Sequence, residues 1–178
     1  LAEAHTSLAI YKQFYEWDWA GVERSLLRAI EINPNYATGV QWYGNYFKGM
    51  GKLDQARTFV QRAQQLDPLS LGIGAAVGNV YYLERRYDQA IEQMRKVIDL
   101  DRAYPLPHVW LGFCYEQKRM YREAIGEFQE GARLSEREPL ALSALAHGYA
   151  ASGDAAQARK ILAEMNELAK RRYVSAYD

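Results

Sequence analysis

The chain has 178 residues, which is long enough to bury a large apolar core. Its 22 basic and 22 acidic residues give a net charge of zero, so no charge excess indicates binding to nucleic acid or to a membrane surface. One cysteine excludes an internal disulfide, and no apolar run approaches the roughly 18 residues of a membrane helix. With no visible signal peptide, these features favour a cytoplasmic location.

Apolar periodicity predicts helices along the whole chain, arranged in pairs that are joined by short turns. Gly51 and Gly153 mark two of the turns, because glycine suits the left-handed residue that ends many helices. The turns at Arg85 and Arg119 carry basic residues instead, which suit the negative end of a helix dipole. The predicted helices cover residues 3–16, 18–32, 37–50, 53–66, 71–84, 87–100, 105–118, 121–134, 139–152 and 155–170.

Similar residues recur at intervals of 34 residues, a period typical of repeat architectures. Glycine in the middle of a helix costs about 1 kcal/mol relative to alanine, so a close approach to the second helix must offset that cost. We therefore expect each glycine of the first series to contact the second helix of its own repeat. The four series are Gly44, Gly78, Gly112 and Ala146; Ala56, Ala90, Ala124 and Ala158; Leu66, Leu100, Leu134 and Leu168; and Phe47, Tyr81, Tyr115 and Tyr149.

This pattern closely resembles the tetratricopeptide repeat, which has small residues at its eighth and twentieth positions and an aromatic residue at its eleventh. The resemblance implies an all-α fold, a right-handed α-α superhelix or solenoid of five helix-turn-helix repeats plus the start of a sixth. The chain, residues 1–178, would then be a single array, and its start without methionine favours a segment of a longer protein. The repeats would cover residues 3–36, 37–70, 71–104, 105–138 and 139–172, with a truncated sixth repeat starting at 173–178.

No motif indicates catalysis, a metal or a cofactor, so we predict that the chain is not an enzyme. His5, His108 and His147 do not have the spacing of a metal-binding helix, and one cysteine cannot build a zinc knuckle. Nucleophile elbows, Walker loops and kinase signatures are absent from the sequence. Cys114 lies inside a predicted helix, which favours a buried thiol.

The resemblance implies a concave groove lined by the first helix of each repeat, which would bind a protein or an extended peptide. Asn45 and Asn79 share a position that family members use for peptide backbones, and we expect both to be at most partly buried; the alternative is a solvated polar residue. Aromatic residues at groove positions are candidate anchors, although packing between neighbouring first helices is favoured for Tyr11 and Phe113. The residues predicted to bind the peptide are Asn45, Asn79, Gln41, Lys48, Tyr15, Tyr82, Phe113 and His147.

The leading interpretation is a protein- or peptide-binding scaffold. The run WDWAGVERSLLRAIEINPNYA is similar to repeat regions of bacterial signalling proteins, which implies a regulatory segment of a larger protein. The alternative is a self-association module, with a homodimer formed through the apolar residues Ile161, Leu162, Met165 and Leu168 of the last repeat. RNA binding is disfavoured because the groove is not basic.

Overall fold

The computed structural model describes residues 1–170, in which ten α-helices and one π-helical turn are found and no strand. The all-α prediction is therefore confirmed, whereas the predicted start of a sixth repeat, 173–178, lies outside the described residues. Within residues 1–170, no helix combines the length and the apolar character that crossing a bilayer requires. The helices are α1 Ala2–Tyr11, α2 Trp19–Ile32, α3 Ala37–Gly49, α4 Leu53–Leu66, α5 Leu71–Leu83, α6 Tyr87–Leu100, α7 Pro105–Gln117, α8 Tyr121–Leu134, α9 Pro139–Ala151 and α10 Ala155–Ala169.

The first helix of the chain differs from its prediction. α1 ends at Tyr11, and residues Lys12–Glu16 form a π-helical turn that closes when the Trp17 N–H donates to the carbonyl of Lys12, five residues earlier. The Asp18 side chain then caps α2 by accepting the N–H of Gly21 at 2.8 Å. The predicted boundary near residue 16 is retained, but the last turn is wider than an α-helical turn.

A left-handed residue recurs at the turn that follows each first helix. The backbone φ angle is positive at five positions spaced by one repeat, although two of them carry arginine and one carries tryptophan. Because a side chain disfavours this conformation, the repeat architecture outweighs the local preference at those three positions. The five residues are Trp17 (55°), Gly51 (72°), Arg85 (61°), Arg119 (61°) and Gly153 (89°).

The chain divides into two compact units, of which the N-terminal unit comprises Leu1–Arg86. Its core includes Val22 and Leu26 of α2, Val60 of α4 and Val80 of α5, all buried. The predicted helix contact is confirmed at Gly44, where an added Cβ would lie 2.7 Å from Val60 Cγ1 and 3.2 Å from the carbonyl oxygen of Ala56. Glycine thus lets the backbones of α3 and α4 approach each other.

The C-terminal unit begins at Tyr87 and is organised around the fully buried ring of Phe128 in α8. An added Cβ at Gly112 of α7 would lie 2.5 Å from this ring, and one at Gly148 of α9 would lie 2.6 Å from it. Two glycines therefore make room for one aromatic side chain. Cys114 is buried beside this core, as predicted, and burial raises the pKa of its thiol to about 12, so the thiol stays protonated at neutral pH.

Replacing Gly44 with leucine should destabilise the protein, because the backbone atoms near the new side chain cannot move aside. Overpacking of this kind typically costs about 1–3 kcal/mol. Gly126 provides a matched control, because it is exposed in the middle of α8 and an added Cβ there meets nothing within 4 Å. Gly126→Leu should stabilise the protein by up to about 1 kcal/mol. Urea unfolding measures both changes, and equal effects would contradict the assigned helix contact.

Candidate protein-binding surfaces

In the N-terminal unit, polar side chains of α3 contact α5. Lys48 Nζ donates to Asn79 Oδ1 at 2.8 Å, and the amide of Gln41 donates to the carbonyl of Gly72 at 3.3 Å. Burial lowers the pKa of the Lys48 ammonium, whose side chain is half-buried. Gln41 and Lys48, both predicted to contact a peptide, therefore also connect two consecutive first helices.

Asn79 is buried, with only 6% of its surface exposed, so the prediction of at most partial burial is wrong for this residue. Its side-chain oxygen is occupied by Lys48 of the preceding repeat. This pairing joins positions 31 residues apart, on two different helices. Asn79 thus holds the Lys48 ammonium in place.

Asn45 is half-buried, as predicted, and differs from Asn79 in its partners. Its side-chain oxygen is buried and accepts no hydrogen bond. The residue 31 positions before Asn45 is Phe14, whose ring cannot donate a hydrogen bond as Lys48 does to Asn79. The two asparagines therefore share a repeat position but not a function in the fold.

The N-terminal unit also carries exposed aromatic rings. The Phe14 ring is 57% exposed and meets Trp42 edge to face, with ring centroids 6.4 Å apart. Tyr11 and Tyr15 are also exposed, and their rings stack with centroids 5.3 Å apart. The interpretation that Tyr11 packs between neighbouring first helices therefore does not fit its exposure. Tyr82, the remaining predicted aromatic contact in this unit, is half-buried on α5.

In the C-terminal unit, Phe113 of α7 is half-buried and packs against Trp110 and Phe128, with ring centroids 5.7 and 5.0 Å away. These contacts support its interpretation as a packing residue. His147 of α9 is exposed, and its ring centroid lies 6.2 Å from that of Phe113. The two predicted site residues of this unit are thus neighbours, and only His147 is freely accessible.

Glu116 of α7 lies next to His147; the repeat pattern places it in the groove, but it was not among the residues predicted to bind the peptide. Glu116 Oε1 is 3.0 Å from His147 Nε2, and the imidazole N–H must donate because an ionised carboxylate only accepts. Only 10% of the Glu116 side chain is exposed, and its second oxygen is buried and accepts no hydrogen bond. The signal that could have identified it is the 31-residue spacing to a histidine.

An apolar cavity of about 220 Å³ opens beside the first turns of α7 and α9. Its walls include Pro105, Leu106 and Val109 from α7 and Leu140 and Ala141 from α9. In the part of the chain that the structure describes, no three His, Cys, Asp or Glu side chains are grouped so that they could hold a metal ion. The sites of both units are therefore surfaces of polar, aromatic and aliphatic side chains.

Helix pairs that repeat every 34 residues around glycine contacts define a helical-repeat fold of the solenoid class, which generally serves as a scaffold for protein–protein interaction rather than for catalysis. A family model described as TPR repeat matches residues 78–118. The chain is therefore similar to tetratricopeptide repeat proteins, in a short matched segment and in the relatives described next.

Two curated proteins are similar in sequence. Tetratricopeptide repeat protein 13 of Homo sapiens is 22% identical over 108 residues, which covers 61% of this chain and 12% of that protein. Superkiller protein 3 of Schizosaccharomyces pombe is 25% identical over 166 residues, which covers 86% of this chain and 12% of that protein. The chain thus spans only a small part of the length of these relatives.

Solved structures share the fold at low sequence identity. TTC0263, a thermophilic TPR protein in Thermus thermophilus, has a TM-score of 0.85 and 18% identity, covering 94% of this chain and 91% of that chain. A chain of the APC/C hetero-tetramer Cut9–Hcn1 has a TM-score of 0.81 and 18% identity, covering 92% and 32%. MamA has a TM-score of 0.69 and 17% identity, covering 98% and 96%. These similarities show the fold alone.

The bond between Lys48 and Asn79 should be visible as an energetic coupling. Lys48→Met leaves the buried oxygen of Asn79 without a donor, which costs about 1–3 kcal/mol. Changing Asn79 to leucine as well removes that unpaired group, so the double variant should lose less stability than the sum of the single variants. Urea unfolding of the four proteins measures the coupling.

The exposed pair Arg28 and Glu31, which lie 3.0 Å apart, is the control, because surface ion pairs couple by only about 0–1 kcal/mol. Strict additivity at Lys48 and Asn79 would show that their hydrogen bond contributes nothing to stability.

Proposed function

We propose that the chain is a scaffold that binds an extended segment of another protein on the exposed faces of its first helices. The observation that carries this proposal is the buried, unpaired side-chain oxygen of Asn45. Leaving such an acceptor unsatisfied costs about 1–3 kcal/mol. The Asn45 side chain is half-buried, so its rotation would bring this oxygen to the surface, where a backbone N–H of a bound segment would remove the cost.

The neighbours of Asn45 on α3 support the same interpretation. Gln41, Asn45 and Lys48 are spaced by four and three residues, so they form one stripe along the helix. The Lys48 ammonium has three N–H donors and uses one of them on Asn79, which leaves donors for a peptide carbonyl. An acceptor and a donor on one stripe match the alternating N–H and carbonyl groups of an extended backbone.

Aromatic residues, of which Phe14 and Tyr15 are exposed and Trp42 is half-buried, would supply the apolar part of the contact. Phe14, Tyr15 and Trp42 lie on or beside the first helices of the N-terminal unit, and aromatic side chains dominate the energy of many interfaces.

We further propose that the chain acts as a regulatory segment of a larger bacterial protein. The similarity of residues 17–37 to repeat regions of bacterial signalling proteins supports that proposal.

An immobilised library of extended peptides tests the binding function. Selected peptides should bind the native chain, and Asn45→Ala should weaken binding about fivefold, the equivalent of one hydrogen bond. Phe14→Ala should weaken it more, whereas Gln65→Ala, an exposed change on α4, should have no effect. Gln65→Ala should leave the melting temperature unchanged, and Asn45→Ala should not lower it, because that change removes a buried acceptor without a partner. The absence of any bound peptide, or binding that ignores both changes, would refute the proposal.

Self-association is the second candidate function, and one residue favours it. Leu162 of α10 is 51% exposed, whereas Ile161 and Met165 are buried and Leu168 is half-buried. The predicted apolar stripe is therefore mostly covered within its own unit. A homodimer through the last repeat would centre on Leu162.

Leu162→Gln should convert such a dimer into monomers, because it replaces the exposed apolar side chain with a polar one. Sedimentation velocity over a range of concentrations measures the change. Leu69→Gln is the control, since Leu69 is an exposed leucine outside α10. A native chain that stays monomeric at high concentration would exclude self-association as its function.

A further inference from the structure

We propose that the first helices of the C-terminal unit select a partner segment in which an apolar side chain is separated by about three residues from a lysine or an arginine. This inference rests on the proposed scaffold function and names the chemistry of the partner. It is carried by two neighbouring features, the apolar cavity at the start of α7 and α9 and the carboxylate of Glu116.

The cavity is suited to a single aliphatic side chain. Its volume of about 220 Å³ is smaller than the roughly 300–1,000 Å³ of pockets for small molecules. Leu106, Val109 and Leu140 line it, and Leu140 is half exposed at its rim. A leucine or methionine side chain placed there would cover this exposed leucine and fill space that water occupies poorly.

The Glu116 carboxylate provides the second contact. His147 satisfies one of its oxygens, while the other is buried and accepts no hydrogen bond. A carboxylate with an unsatisfied oxygen is best stabilised by a cationic donor, because charge-assisted hydrogen bonds are the stronger kind. The exposed ring of His147 lies on the accessible side of the pair, so a lysine or arginine would reach the carboxylate by displacing or flanking that ring.

The distance between the two features sets the spacing in the partner. Val109 and Glu116 are seven residues apart on α7, which places them on one face about 10 Å apart along the helix. An extended chain advances about 3.3 Å per residue, so three residues cover this distance. The partner motif is therefore an apolar residue and a basic residue about three positions apart.

The charge of this face determines which sign of charge the partner residue should carry. The repeat pattern places ten positions of α7 and α9 in the groove, of which Glu116 is the one carboxylate, and none is lysine or arginine; a second carboxylate, that of Glu138, lines the cavity. The ten positions are Leu106, Val109, Phe113, Glu116, Gln117, Leu140, Ser143, His147, Ala150 and Ala151. The equivalent position in the second repeat is Lys48, two periods earlier. A basic partner residue is thus attracted at Glu116 and repelled at Lys48.

Three synthetic peptides of about ten residues in a serine-glycine background test the proposal. The first has leucine followed three positions later by arginine, the second replaces the arginine with glutamate, and the third replaces the leucine with serine. Fluorescence anisotropy with the whole chain measures the dissociation constants. The leucine-arginine peptide should bind at least about tenfold more tightly than either of the other two peptides.

Variants of the protein assign the two contacts. Glu116→Gln keeps the shape and the bond to His147, and it should abolish most of the preference for arginine over glutamate. Leu140→Ser should abolish the preference for leucine over serine, and because Leu140 is half exposed this change tests the cavity even if Glu116→Gln fails to fold. Glu123→Gln, an equal loss of charge on the exposed face of α8, should change neither preference.

The results distinguish this inference from the scaffold function. If library peptides bind and respond to Asn45→Ala, but the arginine and glutamate peptides bind equally, the inference is wrong and the scaffold function stands. A preference for arginine that Glu116→Gln leaves intact also overturns the inference. If neither the library nor the designed peptides bind, both proposals are wrong.

Discussion

The close approach of the two helices in a repeat is the constraint on which the binding surfaces depend. At Gly44 the backbone of α4 lies so near that an added Cβ would be 3.2 Å from the carbonyl oxygen of Ala56. At Gly112 an added Cβ would be 2.5 Å from the side-chain ring of Phe128. Because one side of each first helix is committed to this contact, the side chains on its other side are left for neighbouring repeats and for partners. Glycine is tolerated in mid-helix because the packing gained offsets its propensity cost.

The repeat period also decides which side chains of neighbouring repeats meet. Tyrosine at the eleventh position accepts a hydrogen bond from a residue 20 positions earlier in three places, and pairs 31 positions apart meet on the first helices. The contact between residues 31 positions apart is made by different residue types in the two units, Lys48 with Asn79 in one and Glu116 with His147 in the other. A change at one such position alters a contact between repeats without disturbing the glycine contact inside a repeat. Variation in binding can therefore accumulate on a common framework of packing.

The helices were predictable because small, aromatic and apolar residues recur at fixed repeat positions. Each residue type is informative there without knowledge of its contacts. The burial of Asn79 was not predictable in this way, since it depends on pairing with Lys48 in another repeat. The left-handed arginines at positions 85 and 119 were missed for a related reason, because the architecture imposes a conformation that arginine disfavours. Glu116 was placed in the groove but not among the binding residues, because a carboxylate at such a position looks solvated until its neighbours are known. Sequence patterns thus locate the exposed faces, whereas pair contacts decide which groups on those faces remain available.

The charged groups available for binding differ in the sign of their charge between the two units. Such a difference affects whether a scaffold of similar repeats can bind a partner segment at the wrong repeat. Near-identical repeats offer near-identical grooves, so a partner segment shifted by whole repeats would find similar shapes. Lys48 and Glu116 occupy the same repeat position with opposite charges, and a segment that carries a basic residue gains an attractive contact at one and a repulsive contact at the other. Because each side chain is partly buried, its charge is screened less than that of a fully exposed residue. Under the proposed scaffold function, charge at this one position would therefore decide which unit a basic segment binds, whereas the glycine contacts at Gly44 and Gly112 are common to both units.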